Sequence, residues 1–329
     1  MIKIVFYSLL ICLFTFQITN AKIWIADANP GDIGADFKTI QAAHDGAFAG
    51  DTIYAIGSAQ SLGEATFTKK LVIIGPGYFL SENQNLQASP FSAKFGHLTF
   101  DAGSEGSIIT GCEIQGTLYI KTSNISIIRN YISSPFISIF KDIGNLYIQQ
   151  NYINPSPSNY VSAISTEENV GPIYITNNYI SYPHHYSIDM HKSANAIIEN
   201  NVITGPINCY NSTFQNNIIT GSFYGTGNGI FNNICNKDQF SNTNVNIPNT
   251  DTSKIFINTG STDGKFQLKA NSPARGAGVN GVDIGMFGGV NPYVLSGVPS
   301  IPSIYYFTAP FYGSKSQGLK VRIKAKVNN

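Results

Sequence analysis

The densest group of titratable side chains in this sequence is the insert SYPHHYSIDMHKS, which holds His184, His185, Asp189, His191 and Lys192 and three of the chain's five histidines. Two earlier stretches add to it: AISTEENV supplies Glu167 and Glu168, and ISIFKDIG supplies Lys141 and Asp142. Carboxylates and imidazoles do acid–base work when they are held close enough to perturb one another, and carboxylate oxygens also ligate Ca²⁺. The candidate catalytic set is therefore His191, Asp189, Glu167, Asp142 and His185, with Lys141 and Lys192 as cations for a bound substrate. The set requires no cofactor, and Ca²⁺ is the ion its oxygens would suit. The competing explanation is a polar face with an ordinary scatter of His and Glu, and the scaffold decides between them.

That scaffold is legible as a repeat. The phrases ITGCEI, IIRNYI, IQQNYI, ITNNYI, IENNVI, FQNNII and IFNNIC align Cys112, Asn130, Asn151, Asn178, Asn201, Asn217 and Asn233 in one column, with an apolar residue three before and two after. Successive columns are 18, 21, 27, 23, 16 and 16 residues apart. A period of roughly 20 with inserts marks a solenoid, and units this short and β-branched make coils of strands rather than helix pairs. Asn suits the bend because it tolerates left-handed backbone angles, and stacked coils about 4.8 Å apart let its amides bond as a ladder. On this register Asp189 and His191 face outward, with Glu167 beside them one coil earlier and Lys141 or Asp142 beyond.

The same register places Tyr131, Tyr152, Tyr179, Val202, Ile218 and Ile234 outward, one after each column position. An apolar strip of that length needs a cover: the C-terminal tail, a partner, or a sugar surface stacked on the rings of Tyr131, Tyr152 and Tyr179. A slip of one residue in any strand would exchange its inward and outward faces.

Residues 1–21 read as a secretory signal peptide, with Lys3, an apolar run from Ile4 to Phe16 and small residues before cleavage after Ala21. No later segment is long and apolar enough to span a bilayer, so the expected protein is secreted or at the cell surface and not integral to a membrane. Charged residues make up only 12% and the net charge is +1, which gives no electrostatic case for nucleic acid. Cys112, Cys209 and Cys235 follow the leader, an odd number at apolar or bend positions, so they read as small core residues rather than a disulfide or metal framework.

From Asp36 to Gly50 the period becomes helical, with Phe37, Ile40, His44, Ala47 and Phe48 on one stripe, Asp36 as N-cap and Gly50 as the stop. This helix is placed to cover the open first coil, with His44 as a packing residue. DTIYAIG and KKLVIIGPG then read as the first strands.

The opening DFKTIQAAHDGAFAGDTIYAI with KKLVIIGPG, and the closing IFINTGSTDGKFQLKANSPARGAG with VDIGMFGG, resemble secreted bacterial right-handed parallel β-helix proteins of the pectin lyase-like superfamily. The resemblance runs from Lys22 to Gly289. It implies the fold without implying one reaction, since the superfamily holds lyases, hydrolases, epimerases, tailspikes and adhesins. Its lyases abstract the proton alpha to a uronate carboxyl, often with a basic residue and Ca²⁺, and its hydrolases use paired carboxylates; no motif of either class maps here residue by residue. GAGVNG, Gly276 to Gly281, matches a dinucleotide-binding fingerprint in letters only, because Pro273 precedes it and no helix can follow.

Beyond Asn291 the chain turns Pro-rich and ends in GLKVRIKAKVNN, where Val321, Ile323, Ala325 and Val327 alternate with Lys320, Arg322, Lys324 and Lys326. That alternation predicts a half-buried strand with a charged outer face. The fold expected is all-β: a right-handed parallel β-helix solenoid over 22–290 with an N-terminal capping α-helix, and a C-terminal β-hairpin tail over 291–329 on or beside it. The expected function is noncatalytic binding of polysaccharide, a cell-surface glycan or another surface. The alternative is a polysaccharide lyase or glycoside hydrolase acting on a uronate-containing glycan through His184 to His191 with Glu167 and Asp142.

Overall fold

The computed structural model describes residues 21–31, 34–133, 136–156, 162–240, 243–316 and 318–328. The leader expected over 1–21 lies outside them except for its last residue. The chain is a right-handed parallel β-helix whose coils contribute to three parallel sheets of 10, 8 and 8 strands. A typical coil runs Ser126–Ile128 in the first sheet, Tyr131–Ile132 in the second and Ile137–Ile139 in the third, before Leu146–Gln149 returns to the first.

Burial explains the register. The residues three before the column, such as Ile109, Ile148 and Ile175, and two after, such as Ile132, Ile153 and Ile180, are fully buried. Each column amide closes a gap between coils. Asn151 N–H donates to Oδ1 of Asn178 at 2.8 Å while Asn178 Nδ2 donates to the Ile148 carbonyl at 2.7 Å. The same pair of bonds repeats from Asn130 to Asn233 and continues to Asn246, which the repeat phrases do not include and whose Oδ1 accepts from Asn233 N–H at 2.9 Å. From Asn130 to Asn233 these residues are fully buried, where an unpartnered backbone group would be costly.

The left-handed bend falls one residue earlier than expected. Arg129, Gln150, Asn177, Asn200, Asn216 and Asn232 carry φ between 50° and 57°. An Asn-Asn doublet therefore divides two tasks, the first residue turning the backbone and the second filling the ladder.

The helix is shorter than the periodicity suggests, Ile40–Gly46, and its N-cap is Thr39, whose hydroxyl accepts from Ala42 N–H at 3.2 Å. Asp36 instead accepts from Ile25 N–H, and Phe48 is exposed. Ile40, Ala43 and His44 are buried against the first coil, and His44 Nε2 accepts from Thr68 N–H at 3.1 Å. Lys69 Nζ donates to the carbonyls of His44, Asp45 and Ala47, satisfying the helix C-terminus. At the other end Phe240 packs on Phe223.

Strands of the three sheets end at Cys235, well short of 290. From about Ile255 to Leu295 the chain runs back along the outside of the second sheet and buries the apolar strip. Tyr152, Tyr179, Val202, Ile218 and Ile234 pack with Ile255, Phe256, Leu268, Ile284, Met286 and Tyr293 in a second hydrophobic cluster. The cover expected of the tail is thus supplied mostly by this return segment, with Tyr293 and Leu295 as the tail's share. The left-handed residues fasten it. Asn232 donates to the Ala277 carbonyl, Asn216 accepts from Val279 N–H, Asn177 donates to Met286 and Gly288, Gln150 to Asn291 and Pro292, and Arg129 to Val298 and Ser300.

A buried carboxylate locks the far end of the return segment. Asp263 accepts from Ser296 N–H at 2.6 Å, Asn83 at 3.0 Å, Ser261 at 2.9 Å and the Tyr293 hydroxyl at 3.2 Å. Tyr78 meets Tyr293 at 2.7 Å, and burial pushes both phenols well above their ordinary pKa. GAGVNG lies in the return segment as a 3-10 turn at Val279–Gly281. The last strands, Ser303–Thr308 and Arg322–Lys326, form an antiparallel hairpin that is largely exposed, where the alternation predicts a half-buried strand.

Candidate functional site

With the second sheet covered, the coils present two polar outward columns, one on the first sheet, where Tyr147 stacks on Tyr174 at 4.9 Å, and one on the third, which also carries the candidate residue Asp189. Strand pairing sets the order of the third-sheet column as Thr66, Thr99, Tyr119, Ser138, Ser165, Asp189, Asn208 and Tyr224. Each is positioned by buried neighbours: Leu118 and Ile120 hold Tyr119 outward, Ile137 and Ile139 hold Ser138, and Ile188 and Met190 hold Asp189. At about 4.8 Å per coil, Tyr119 and Tyr224 stand about 24 Å apart.

Aromatic rings gather around Tyr119, third from one end of that column, and around Tyr224 at the other end. Tyr119 lies 6.3 Å from the rings of His97 and Phe140 and 6.5 Å from Phe136. At the other end Tyr224, 52% exposed, meets Tyr186 edge-on at 6.1 Å, and Tyr186 meets His185 at 4.9 Å. Between them the floor is hydroxyl, carboxylate and carboxamide. Asp189 accepts from Asn208 Nδ2 at 2.8 Å and from the buried Ser162 hydroxyl at 3.3 Å, and that hydroxyl is 3.1 Å from His185 Nδ1. Ser162 has one proton, so when it donates to Asp189 it accepts from His185.

The five candidate catalytic residues divide into two groups. Asp189 and His185 meet through Ser162 on the face. His191, Glu167 and Asp142 occupy the turns that leave the third sheet, where Glu167 accepts from Lys141 N–H, Asp142 from Asn169 Nδ2, and His191 Nδ1 contacts Ser193. Among the described residues no hydrogen bond or ion pair joins the two groups, and no three His, Cys, Asp or Glu side chains cluster as a metal centre requires. Lys141 and Lys192 are exposed in the same turns, Lys192 Nζ lying 5.8 Å from the Tyr210 ring.

Of the covers open to the three tyrosines, the fold supplies packing by the chain itself and not a sugar surface. Tyr152 and Tyr179 are buried and Tyr131 half-buried, and Tyr179 stacks on Phe266 of the return segment at 4.2 Å. Rings so occupied offer no face to a ligand. Tyr119, Phe136, Phe140, Tyr186, Ser162, Asn208 and Tyr224 escaped sequence reasoning because the chain from column to third sheet varies in length: Ser138 follows its Asn by 8 residues, Ser165 by 14, Asp189 by 11 and Asn208 by 7. The recoverable signal was Tyr119 and Tyr224, each seven residues after its column position.

A second concavity of about 400 Å³ lies between the first sheet and Pro299 to Ile301. Its floor is Val72, Ile74, Ile108 and Ile128, and its cation, Arg129, is already spent on Val298 and Ser300. No protein-family model, curated protein or solved structure matches this chain.

Proposed function

We propose that the protein is a secreted or cell-surface β-helix of the pectin lyase-like kind that binds a neutral polysaccharide along its third sheet without cleaving it. The observation that carries the reading is the outward column itself: a floor of Ser138, Ser165, Asp189 and Asn208 between the aromatic groups at Tyr119 and Tyr224. Sugar rings present apolar C–H faces and hydroxyl edges, which aromatic rings and small polar side chains match respectively. A glycan of several residues fits the length of about 24 Å between those two rings. The column's one ionisable floor residue is an acid, so it favours a neutral chain over a polyuronate.

The test is retention of the protein on insoluble or immobilised neutral polysaccharides. Retention on one of them, weakened about tenfold (about 1.4 kcal/mol) by Tyr119→Ala or Tyr224→Ala, supports the assignment. Retention indifferent to both substitutions removes it.

The pairing of His185 and Asp189 through Ser162 favours one second reading, a lyase or hydrolase of a uronate-containing glycan. Incubation with such polysaccharides, with and without Ca²⁺, separates it from binding alone. Ultraviolet absorbance from unsaturated ends would establish a lyase and new reducing ends alone a hydrolase, either one lost in Asp189→Ala.

A further inference from the structure

The C-terminal hairpin is the part of the chain whose shape the glycan reading does not use. It is tied to the rest of the chain near its base, where Ala88 N–H donates to the Ile304 carbonyl at 2.8 Å and Ser303 Oγ to the Leu86 carbonyl at 3.0 Å, while Asn328 Nδ2 closes the base on the tail's own Ile301 carbonyl at 2.9 Å. Beyond that base both of its faces are exposed. Register puts Ile304 and Phe307 opposite Ala325 and Ile323 on one side, and Tyr306 and Thr308 opposite Lys324 and Arg322 on the other. Phe307 is 56% and Ile323 57% exposed, and in the connecting loop Phe311 and Tyr312 are almost entirely so.

A two-stranded hairpin is marginal by itself, and an apolar face of this kind ordinarily rests on something. Its charge selects the occupant. Lys315, Lys320, Arg322, Lys324 and Lys326 lie in the hairpin and its loop, and no Asp or Glu follows Asp283. A second copy packed on the apolar side would leave these five cations, and its own, without an acid to meet. An anionic partner engages them, and it must also accept exposed aromatic rings.

An anionic lipid surface meets both conditions. Phe and Tyr side chains settle at headgroup depth, while Lys and Arg lay their stems along apolar surface and carry their charges to the phosphates. Cations and rings already lie side by side on the hairpin: Lys324 Nζ is 5.3 Å from the Tyr306 ring and Lys326 Nζ 5.9 Å from that of Tyr305. The free strand edges would stay in the hydrated interface, since open edges are not tolerated in hydrocarbon.

We propose that this hairpin docks the protein peripherally on an anionic lipid bilayer, with Phe311 and Tyr312 at headgroup depth, Phe307 and Ile323 facing the acyl chains and the cations on lipid phosphates. The test is flotation of the full chain with phosphatidylcholine vesicles, with and without phosphatidylglycerol, at low and high salt. Co-flotation that needs phosphatidylglycerol, weakens in salt, falls about fivefold for each of Lys320→Gln and Lys324→Gln, and falls at least tenfold in F311S/Y312S is the expected result. Three results overturn the proposal: no flotation with anionic vesicles, equal flotation on neutral ones, or a double variant that floats like the parent. Self-association in sedimentation velocity that disappears in F311S/Y312S would also overturn it, in favour of a second copy as the occupant. Polysaccharide retention in the same variants stays at the parent level, which keeps this result separate from that of the glycan reading.

Discussion

On the second sheet the outward residues Tyr131, Tyr152, Tyr179, Val202, Ile218 and Ile234 are apolar and covered, Tyr131 by Tyr78 and Phe79 and the others mainly by the return segment, whereas on the third sheet Tyr119, Ser138, Ser165, Asp189, Asn208 and Tyr224 are mostly polar and at least partly exposed. The same coils build both columns at the same spacing. The difference lies in what flanks them. Beside the second column runs the left-handed series from Arg129 to Asn232, whose side chains bond the backbone of a segment arriving from far along the chain. A row of tyrosines on a β-helix is therefore not by itself a sugar platform, because its meaning depends on whether the chain has a segment to lay over it.

The contrast can be pressed hardest at the ladder that both columns depend on. Asn178→Ala leaves the buried Asn151 N–H without its acceptor and takes the amide donor from the Ile148 carbonyl, and should cost about 3 kcal/mol in denaturant unfolding. Asn208→Ala, on the partly exposed third column, should cost no more than about 0.5 kcal/mol. Comparable losses at the two sites would erase the distinction between ladder and surface.

A pair of aromatic truncations addresses the two columns directly. Tyr179→Ala removes a ring packed between Tyr152 and Phe266 and should lower stability by about 3 kcal/mol, while polysaccharide retention by the folded protein stays the same. Tyr224→Ala should do the reverse, shifting stability by no more than about 0.5 kcal/mol while weakening retention.

The fastening series is a smaller effect with a local readout. Asn177→Ala deletes two bonds to the return segment and should cost about 1–2 kcal/mol, seen as faster hydrogen exchange in residues 284–293 with the coil amides unchanged. Uniform acceleration across the coils would mean that the return segment is part of one cooperative unit with them.

The smallest expected signal comes from the thiols. Burial raises the pKa of Cys112, Cys209 and Cys235, that of Cys209 to about 11, so at pH 8 each is almost wholly the unreactive thiol. Iodoacetamide followed by peptide mapping should leave all three unlabelled in the native protein and label them in denaturant. Labelling of Cys235 alone would locate an opening at the C-terminal coil.

The coils were readable in advance because inward burial and ladder bonding recur at fixed offsets from one residue type. Ile148, Asn151 and Ile153 stand in the same relation as Ile198, Asn201 and Ile203, and all six are buried as that relation requires. Asn246 was missed because no apolar strand phrase of the same form precedes it, although its amide completes the ladder. His191, Glu167 and Asp142 looked like partners of Asp189 because they follow the third-sheet strand of its own coil or of the two coils before it, yet each sits where the chain turns away from the sheet and bonds there.

The amino-acid sequence by itself determined the coil: which residues point in, where the Asn ladder runs, and that one helix lies over the first turn. These follow from short-range alternation and from a repeat that stacks on its own copy. Tertiary structure alone decided which outward column is covered and which is exposed, since the contacts that decide it join residues 109 and 111 positions apart, such as Asn177 with Met286 and Gly288. Local sequence can specify that a residue faces outward, but what it faces is set by the path of a distant segment.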